Sequence, residues 1–458
     1  MCTSIINRVL RTKRSVIVDH ANAQNDYQSV PYIKKNAIKS IMCCPIMITQ
    51  EEKSHVMGVV YLENNKVQGI FTEHRNVILK TIIDSSIENA QIFTSLNSAY
   101  ARFLPRKFLS LLGKTSVTNV SAGDAVERTM SVLFSDIRNF TSITESMSAS
   151  NSFLFVNQFL NHIAPQIDRN DGFIDKFIGD AVMAIFAGTV TSALQSAIGM
   201  ISALKEFNKD RDHSMVANSK EDMFMGKVSI GVGIHYGKLM IGTIGYKARL
   251  DATVISDTVN IANRLEGLTK ILGVEIIISQ SVIEQYERES CEGEVLLASP
   301  TEASPLYANN YVNFIKSRRL GVFVLKGMDP LVLYQIYDDA WYGSDYDLRV
   351  FEEKNDKFKQ AVEGFNDKNN MKRNREVFKN LANEYPNDKL IALYATACDI
   401  YSNSHLPDSW QGEIRIDKDG NVAPFGGLIV KNNDYNRRRS RFSSSNLEDF
   451  TFDDKLFQ

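Results

Sequence analysis

Apolar positions along the chain fall into distinct regimes. Through residues 1 to about 70, short apolar runs alternate with polar breaks. The clearest run, Val59-Val60-Tyr61-Leu62, follows Gly58 and stops at Glu63-Asn64-Asn65, which predicts a buried strand and a turn. From Thr72, an N-cap residue type, to Leu104 there is neither Gly nor Pro, and Phe93, Leu96, Tyr100 and Phe103 are spaced three, four and three apart. One helix with a narrow apolar seam is predicted, ended by Pro105. Both a helix packed on its own domain and a parallel coiled coil satisfy that seam.

From residue 129 to about 337 strand and helix patterns alternate. Met130 to Phe134 reads as a strand, Ser150 to Arg169 as a helix, and Phe173 to Phe186 as two strands about Gly179-Asp180, followed by a helix to about Phe207. Beyond a polar loop, Val228 to His235 reads as a strand, Asp257 to Leu272 as a helix, Glu275 to Ser279 as a strand and Gly321 to Tyr337 as a hairpin. This alternation predicts a mixed α and β domain. Residues 347 to 402 read as helical, with Phe358, Ala361, Phe365, Phe378, Leu381, Tyr385 and Pro386 loosely following a tetratricopeptide pattern. A single such pair cannot build a solenoid, so a packed helical appendix is expected. From Lys431 the chain is rich in Asn, Arg and Ser, and a disordered tail is expected.

Length and charge narrow the classes. A chain of 458 residues suggests about three domains. Lys plus Arg (52) nearly balance Asp plus Glu (54), so there is no global basic field to attract nucleic acid or an anionic membrane. Any anionic ligand must be held by local groups. The longest apolar runs, Ile41 to Ile48 and Val59 to Leu62, are far short of the roughly 18 residues that cross a bilayer, and no signal-peptide pattern follows Met1. A cytoplasmic protein without a membrane span is expected. The five cysteines include no CxxC pair, which favours free thiols over a disulfide framework or a zinc site.

Two nucleotide motifs fail on inspection. Gly113-Lys114-Thr115 ends like a P-loop, but Phe108 occupies the upstream glycine position. Gly231-Val232-Gly233 begins like a dinucleotide turn, but Tyr236 occupies the third glycine position. The informative constellation is a pair of carboxylates at strand ends. Asp136 ends Ser131-Val132-Leu133-Phe134-Ser135, and Asp180 sits at the tip of the hairpin Phe173 to Phe186. If these strands pair, two hard oxygen donors converge, which suits Mg²⁺ or Mn²⁺ bound together with substrate phosphates. Taken singly, Asp136 also fits a helix N-cap and Asp180 a turn residue.

Three blocks extend this constellation: Phe134-Ser135-Asp136-Ile137-Arg138-Asn139-Phe140-Thr141, Phe177-Ile178-Gly179-Asp180, and Thr253-Val254-Ile255-Ser256-Asp257-Thr258-Val259-Asn260-Ile261-Ala262-Asn263-Arg264-Leu265-Glu266. In this order and spacing, residues 125–340 resemble the class III nucleotidyl cyclase catalytic domain. The resemblance implies an α/β fold class, with an α+β ferredoxin-like cyclase domain. It also implies that Asp136 and Asp180, with the Ile137 carbonyl, hold two Mg²⁺ or Mn²⁺ ions per active site. Asn260 would orient the ribose, Arg264 would stabilise charge on the reacting phosphoryl group, and Lys326 in Leu325-Lys326-Gly327 would contact the triphosphate. Lys176 and Thr253 align with the purine-reading positions. A lysine ammonium only donates, which suits adenine N1, and a threonine hydroxyl can accept from the adenine N6 amino group, so ATP is the expected substrate. The family's sites are shared between protomers, so a homodimer is implied in which Lys176 and Asp180 serve opposite sites. Asn139 and Ser256 stand where the family often has glycine; Asn tolerates unusual backbone angles.

Residues 1–95 resemble the later part of a GAF domain through Pro31-Tyr32-Ile33, Ser40-Ile41-Met42-Cys43-Cys44-Pro45-Ile46, Gly58-Val59-Val60-Tyr61-Leu62-Glu63-Asn64-Asn65 and Phe71-Thr72. That implies a small-molecule ligand and an α/β segment, but the first strands of the family are missing, so a fragment or truncated gene product is expected. The expected organisation is a partial GAF-like domain (1–95), a linker helix (72–112), the cyclase domain (125–340), helices (345–405) and a tail (431–458). Residues 290 to 316 read as an added segment. Arg437-Arg438-Arg439-Ser440 fits both a basophilic kinase site and a solvated basic tail. The leading expectation is an adenylyl cyclase forming cyclic AMP and pyrophosphate from ATP, regulated through the GAF-like region. The alternatives are a guanylyl cyclase and a catalytically inactive cyclase-like regulatory protein.

Overall fold

In this computed structural model, residues 1–21, 27, 29–50, 53–101, 103–145, 147–217, 226–246, 249–297 and 315–425 are described. They divide into two units, Met1–Leu104 and Pro105–Gln458. The expected tail 431–458 with Ser440, and residues 298–314 of the added segment, lie outside the described residues.

The first unit contains α1 (Thr3–Thr12), β1 (Val16–Val18), α2 (Pro31–Lys35), β2 (Ser40–Gln50), β3 (Lys53–Asn64) and α3 (Glu73–Tyr100). The strands form an antiparallel sheet in the order β1-β2-β3. The run Val59–Leu62 is only part of β3, because pairing with β2 carries the strand from Ser40↔Asn64 to Gln50↔Lys53. Ile5, Val9, Val18, Ile33, Ile41 and Cys43 form the core. Thr72 caps α3 as its sequence type predicts, its Oγ1 accepting from the Arg75 N–H at 3.3 Å. Ile78, Ile82, Ile92, Phe93, Leu96 and Tyr100 along this helix are exposed.

The second unit begins with α4 (Arg106–Leu111), β4 (Ala125–Ile137), α5 (Phe140–Glu145), α6 (Ala149–Ile163) and α7 (Pro165–Arg169). The hairpin β5 (Phe173–Ile178) and β6 (Ala181–Phe186) leads to α8 (Val190–Ala217), β7 (Ile230–Tyr246), β8 (Arg249–Ile255), α9 (Asp257–Leu272), β9 (Ile276–Ser279) and α10 (Gln280–Leu297). Then come β10 (Lys316–Leu325), β11 (Leu331–Tyr337), α11 (Asp345–Phe365), α12 (Met371–Glu384), α13 (Lys389–Tyr401) and β12 (Glu413–Ile416). The main sheet runs β12-β10-β11-β9-β7-β4-β6-β5, with β8 paired to β7. Its inner part is a βαββαβ succession: β4, α6, β5, β6, α8 and β7, in the order β7-β4-β6-β5.

Two cores hold this unit. Phe155, Phe159 and Ile163 of α6 and Leu194 and Met200 of α8 share one with Leu133, Val182, Phe186 and Val232 of the sheet. Leu265, Leu268 and Leu272 of α9 share the other with Leu320, Phe323 and Leu325 of β10 and with Phe358, Phe378 and Tyr394 of the later helices. Fully burying a side chain of this size contributes about 1.5–3 kcal/mol.

Several elements depart from the sequence expectations. Pro165 divides the helix expected over Ser150–Arg169, since it cannot supply the interior N–H. The strand expected to end at His235 continues to Tyr246, paired with β4 as far as Ala125↔Gly242, and β8 had no clear signal. The expected helical region holds three helices, and beyond it β12 adds a parallel edge strand to β10. Among the described residues, no helix is long and apolar enough to cross a membrane.

Candidate active site

Register brings the two carboxylates together. In the β4–β6 ladder Ser135 faces Val182, so two residues further along each strand Ile137 falls opposite Asp180. Asp180 follows Gly179, whose φ of +65° closes the two-residue turn after the last pair, Ile178↔Ala181. The Ile137 N–H donates to Asp136 Oδ1 at 3.0 Å and to Asp180 Oδ2 at 3.2 Å. Burial, then the hydrogen bond and the charge of Asp136, push the Asp180 carboxyl up to about 8. Asn139 takes φ +57° at the exit from β4, the left-handed conformation that Asn accommodates.

The surroundings sharpen the acidic character. Glu266, on the inner side of α9, is pushed up to about 7 by burial and then by the charge of Asp136. Gly231 pairs with Asp136. Two residues along β7, a Cβ on Gly233 would overlap the Glu266 amide and the Ala262 carbonyl, so glycine lets α9 lie close against the strand. The Arg138 guanidinium donates to the carbonyls of Ile230, Thr269 and Val274, joining the end of β4 to β7 and the end of α9. Glu266 and Arg138 stood inside the motif blocks but carried no separate signal, because their roles depend on packing between α9 and the sheet.

Lys176 and Thr253 meet in the same chain. A bulge between Ile174 and Lys176 in edge strand β5 re-aims the lysine, and its Nζ donates to Thr253 Oγ1 of β8 at 3.0 Å. Asp175, whose carboxyl is raised by burial and lowered by Lys176, pairs with the same ammonium at 3.4 Å. Nearby along these strands Phe177, Ile178 and Ile255 are more than half exposed.

Helix α9 presents the third group. Ser256 caps it, accepting from the Thr258 N–H at 3.0 Å and donating to the Lys238 carbonyl, so serine at this position gains a cap. Asn260 and Arg264 lie one turn apart, both exposed. Arg264 Nη1 donates to the Lys326 carbonyl at 2.7 Å, which ties the helix to the turn after β10. That turn is closed by the Met328 N–H donating to the Leu325 carbonyl at 3.0 Å, with Gly327 at φ +75°. The eight expected site residues thus lie in three groups: Asp136, Ile137 and Asp180; Lys176 and Thr253; Asn260, Arg264 and Lys326.

Among the described residues no three His, Cys, Asp or Glu side chains cluster as a closed metal cage. Two converging carboxylates, one of them disfavoured as a bare anion, fit a divalent cation that completes its coordination with substrate and water oxygens.

Residues 125–302 match the family model described as the adenylate and guanylate cyclase catalytic domain. Over this segment the chain is similar to nucleotide cyclase catalytic domains. An adenylate cyclase of Anabaena cylindrica is 39% identical to the chain over 216 residues, covering 46% of this chain and 42% of its own. The terminal-differentiation-specific adenylate cyclase of Dictyostelium discoideum is 36% identical over 241 residues, 52% of this chain and 11% of its own. The chain thus spans less than half the length of either relative. The crystal structure of the adenylyl cyclase CyaB from P. aeruginosa aligns over 47% of this chain and 96% of that one, at 25% identity and a TM-score of 0.36. The matched cyclase segment includes seven of the eight expected residues; Lys326 lies beyond it.

Proposed function

We propose that the chain is an adenylyl cyclase that converts ATP to 3′,5′-cyclic AMP and pyrophosphate at sites formed between two copies. The observation that carries this reading is the convergence of Asp136 and Asp180 on the Ile137 N–H within a cyclase domain. Asp136, Asp180 and the Ile137 carbonyl would hold two Mg²⁺ or Mn²⁺ ions, which when bound would supply Lewis acidity for the ribose 3′-hydroxyl and the phosphate charge. The 3′-oxygen attacks the α-phosphorus, the bond to pyrophosphate breaks, and the hydroxyl proton is released. No protein nucleophile is needed.

The remaining residues bind and orient. Lys176 has three donors, so it can keep its bond to Thr253 and also donate to adenine N1. Thr253 Oγ1, with two lone pairs, can accept from both Lys176 and the N6 amino group. Guanine would set its N1–H against the lysine, so the same pair disfavours GTP. Asn260 orients the ribose. Arg264, anchored at one Nη by the Lys326 carbonyl, keeps other N–H groups for an α-phosphoryl oxygen, and the Lys326 ammonium contacts the triphosphate.

The apolar residues exposed beside Lys176 and Thr253 support a homodimer, as does the exposed seam of α3, which suits a parallel coiled coil of two copies. The GAF-like sheet and α3 then form a regulatory segment, with a small molecule as its ligand. The deciding experiment incubates purified protein with ATP or GTP and Mn²⁺ and measures cyclic nucleotide. Cyclic AMP in excess is expected; equal turnover of GTP would remove the adenine reading.

A further inference from the structure

Both elements that present Arg264 and Lys326 rest on the segment after the cyclase sheet. Strand β12 pairs with β10 in the register Val322↔Glu413, Phe323↔Ile414, Val324↔Arg415 and Leu325↔Ile416. The pairing ends one residue before Lys326, whose carbonyl holds Arg264. On the other side, Leu265, Leu268 and Leu272 of α9 share a core with Leu390, Ile391 and Tyr394 of α13 and with Ile414 and Ile416 of β12. The Lys389 Nζ also donates to the Lys270 carbonyl at 3.3 Å.

Two buried tyrosines fasten this segment. The Tyr394 hydroxyl donates to the Leu320 carbonyl at 2.9 Å, beside the bulge between Arg319 and Gly321 in β10. Gly321 has φ +129°, and a Cβ there would overlap that hydroxyl, so tyrosine and glycine fit together at the bulge. The Tyr401 hydroxyl accepts from the Arg415 N–H at 2.9 Å and donates to the Ala423 carbonyl at 3.4 Å, which holds β12 at the sheet edge.

We propose that residues 389–425 are a positioning element for the reaction, with Tyr394 and Tyr401 as positioning residues that set the Lys326 turn and thereby aim Arg264. This rests on the adenylyl cyclase reading. A strand that merely covered the open edge of the sheet would contribute stability and leave Arg264 unaffected. A strand that aims Arg264 acts on a group whose contact strengthens in the transition state, so its loss appears chiefly in kcat, with a smaller rise in KM through the Lys326 ammonium.

The experiment compares the full chain with Tyr394→Phe, Tyr401→Phe and the double variant, each of which keeps the ring and removes the hydroxyl. The double variant should lower kcat for ATP with Mn²⁺ about fivefold, with KM changed less than about twofold. Backbone amides of 325–328 should exchange faster with solvent. Phe155→Leu, in the other core, controls for general destabilisation and should leave kcat intact at a matched fall in Tm. Unchanged kcat in the double variant, or an equal loss in Phe155→Leu, would overturn the proposal. If the wild-type chain forms no cyclic nucleotide, the cyclase reading fails by itself, and exchange then decides: faster exchange at 325–328 upholds the brace, and unchanged exchange overturns it.

Discussion

Asp180 and Glu266 place two raised carboxyl groups in one corner of the second unit. Each keeps a proton in the folded chain over a range where the unfolded chain has released it. Folded protein therefore binds more protons between roughly pH 4 and 8, and the metal-free protein loses stability as pH rises through that window. Its Tm in chelator should be higher near about pH 6 than near about pH 8.5. Asp180→Asn should flatten that slope and raise Tm at the alkaline end while eliminating turnover; a Tm that climbs toward high pH would contradict the burial argument. Asp136→Ala should reduce cyclic AMP formation by at least about a hundredfold with the fold retained by circular dichroism. Changing Lys176 and Thr253 should loosen the preference for ATP over GTP in paired assays. At this scale the motif blocks marked the carboxylates in the sequence. The tie from Lys326 to Arg264 and the burial of Glu266 were invisible there, because each depends on a partner many residues away.

Helix α9 is the element most legible in the sequence, since its ends are local. Ser256 caps the start, Gly273 at φ +70° ends it in the left-handed conformation, and the apolar period between them spans the expected Asp257–Leu272. Strand β7 is the opposite case. Its second half, Gly237–Tyr246, has Leu239, Met240, Ile241 and Ile244 interrupted by three glycines, and it is extended because β4 and β8 pair with it, so the expected strand stopped at His235. Four-residue β12 has too little sequence to show a period, and its partner β10 gives it structure. The close approach of α9 to β7 makes a sharp prediction. Gly233→Ala should cost about 2–3 kcal/mol in denaturant unfolding, because the added Cβ meets backbone that cannot rotate away. A neutral substitution there would mean that the helix can shift without penalty.

At the scale of the whole molecule, one chain carries both halves of a site that the proposed dimer pairs crosswise. Asp136→Ala and Arg264→Ala should each be inactive alone. Mixed and allowed to exchange subunits, they should recover about a quarter of wild-type turnover, since half the dimers are mixed and each has one intact site. Inactivity after proven exchange would place all the residues of a site in one chain. In the sequence, the resemblance of three motif blocks marked the cyclase motifs and their carboxylate pair, whole-chain composition excluded a basic field, and local signals marked helices such as α3 and α9, because caps and periods act over a few residues. Long-range pairing decided the rest: the reach of β7, the added strand β12, the shared core of α9 and α13, and the anchoring of Arg264. Those features arise from register and close packing between segments far apart in the chain, where the intrinsic preference of any short stretch is too weak to choose.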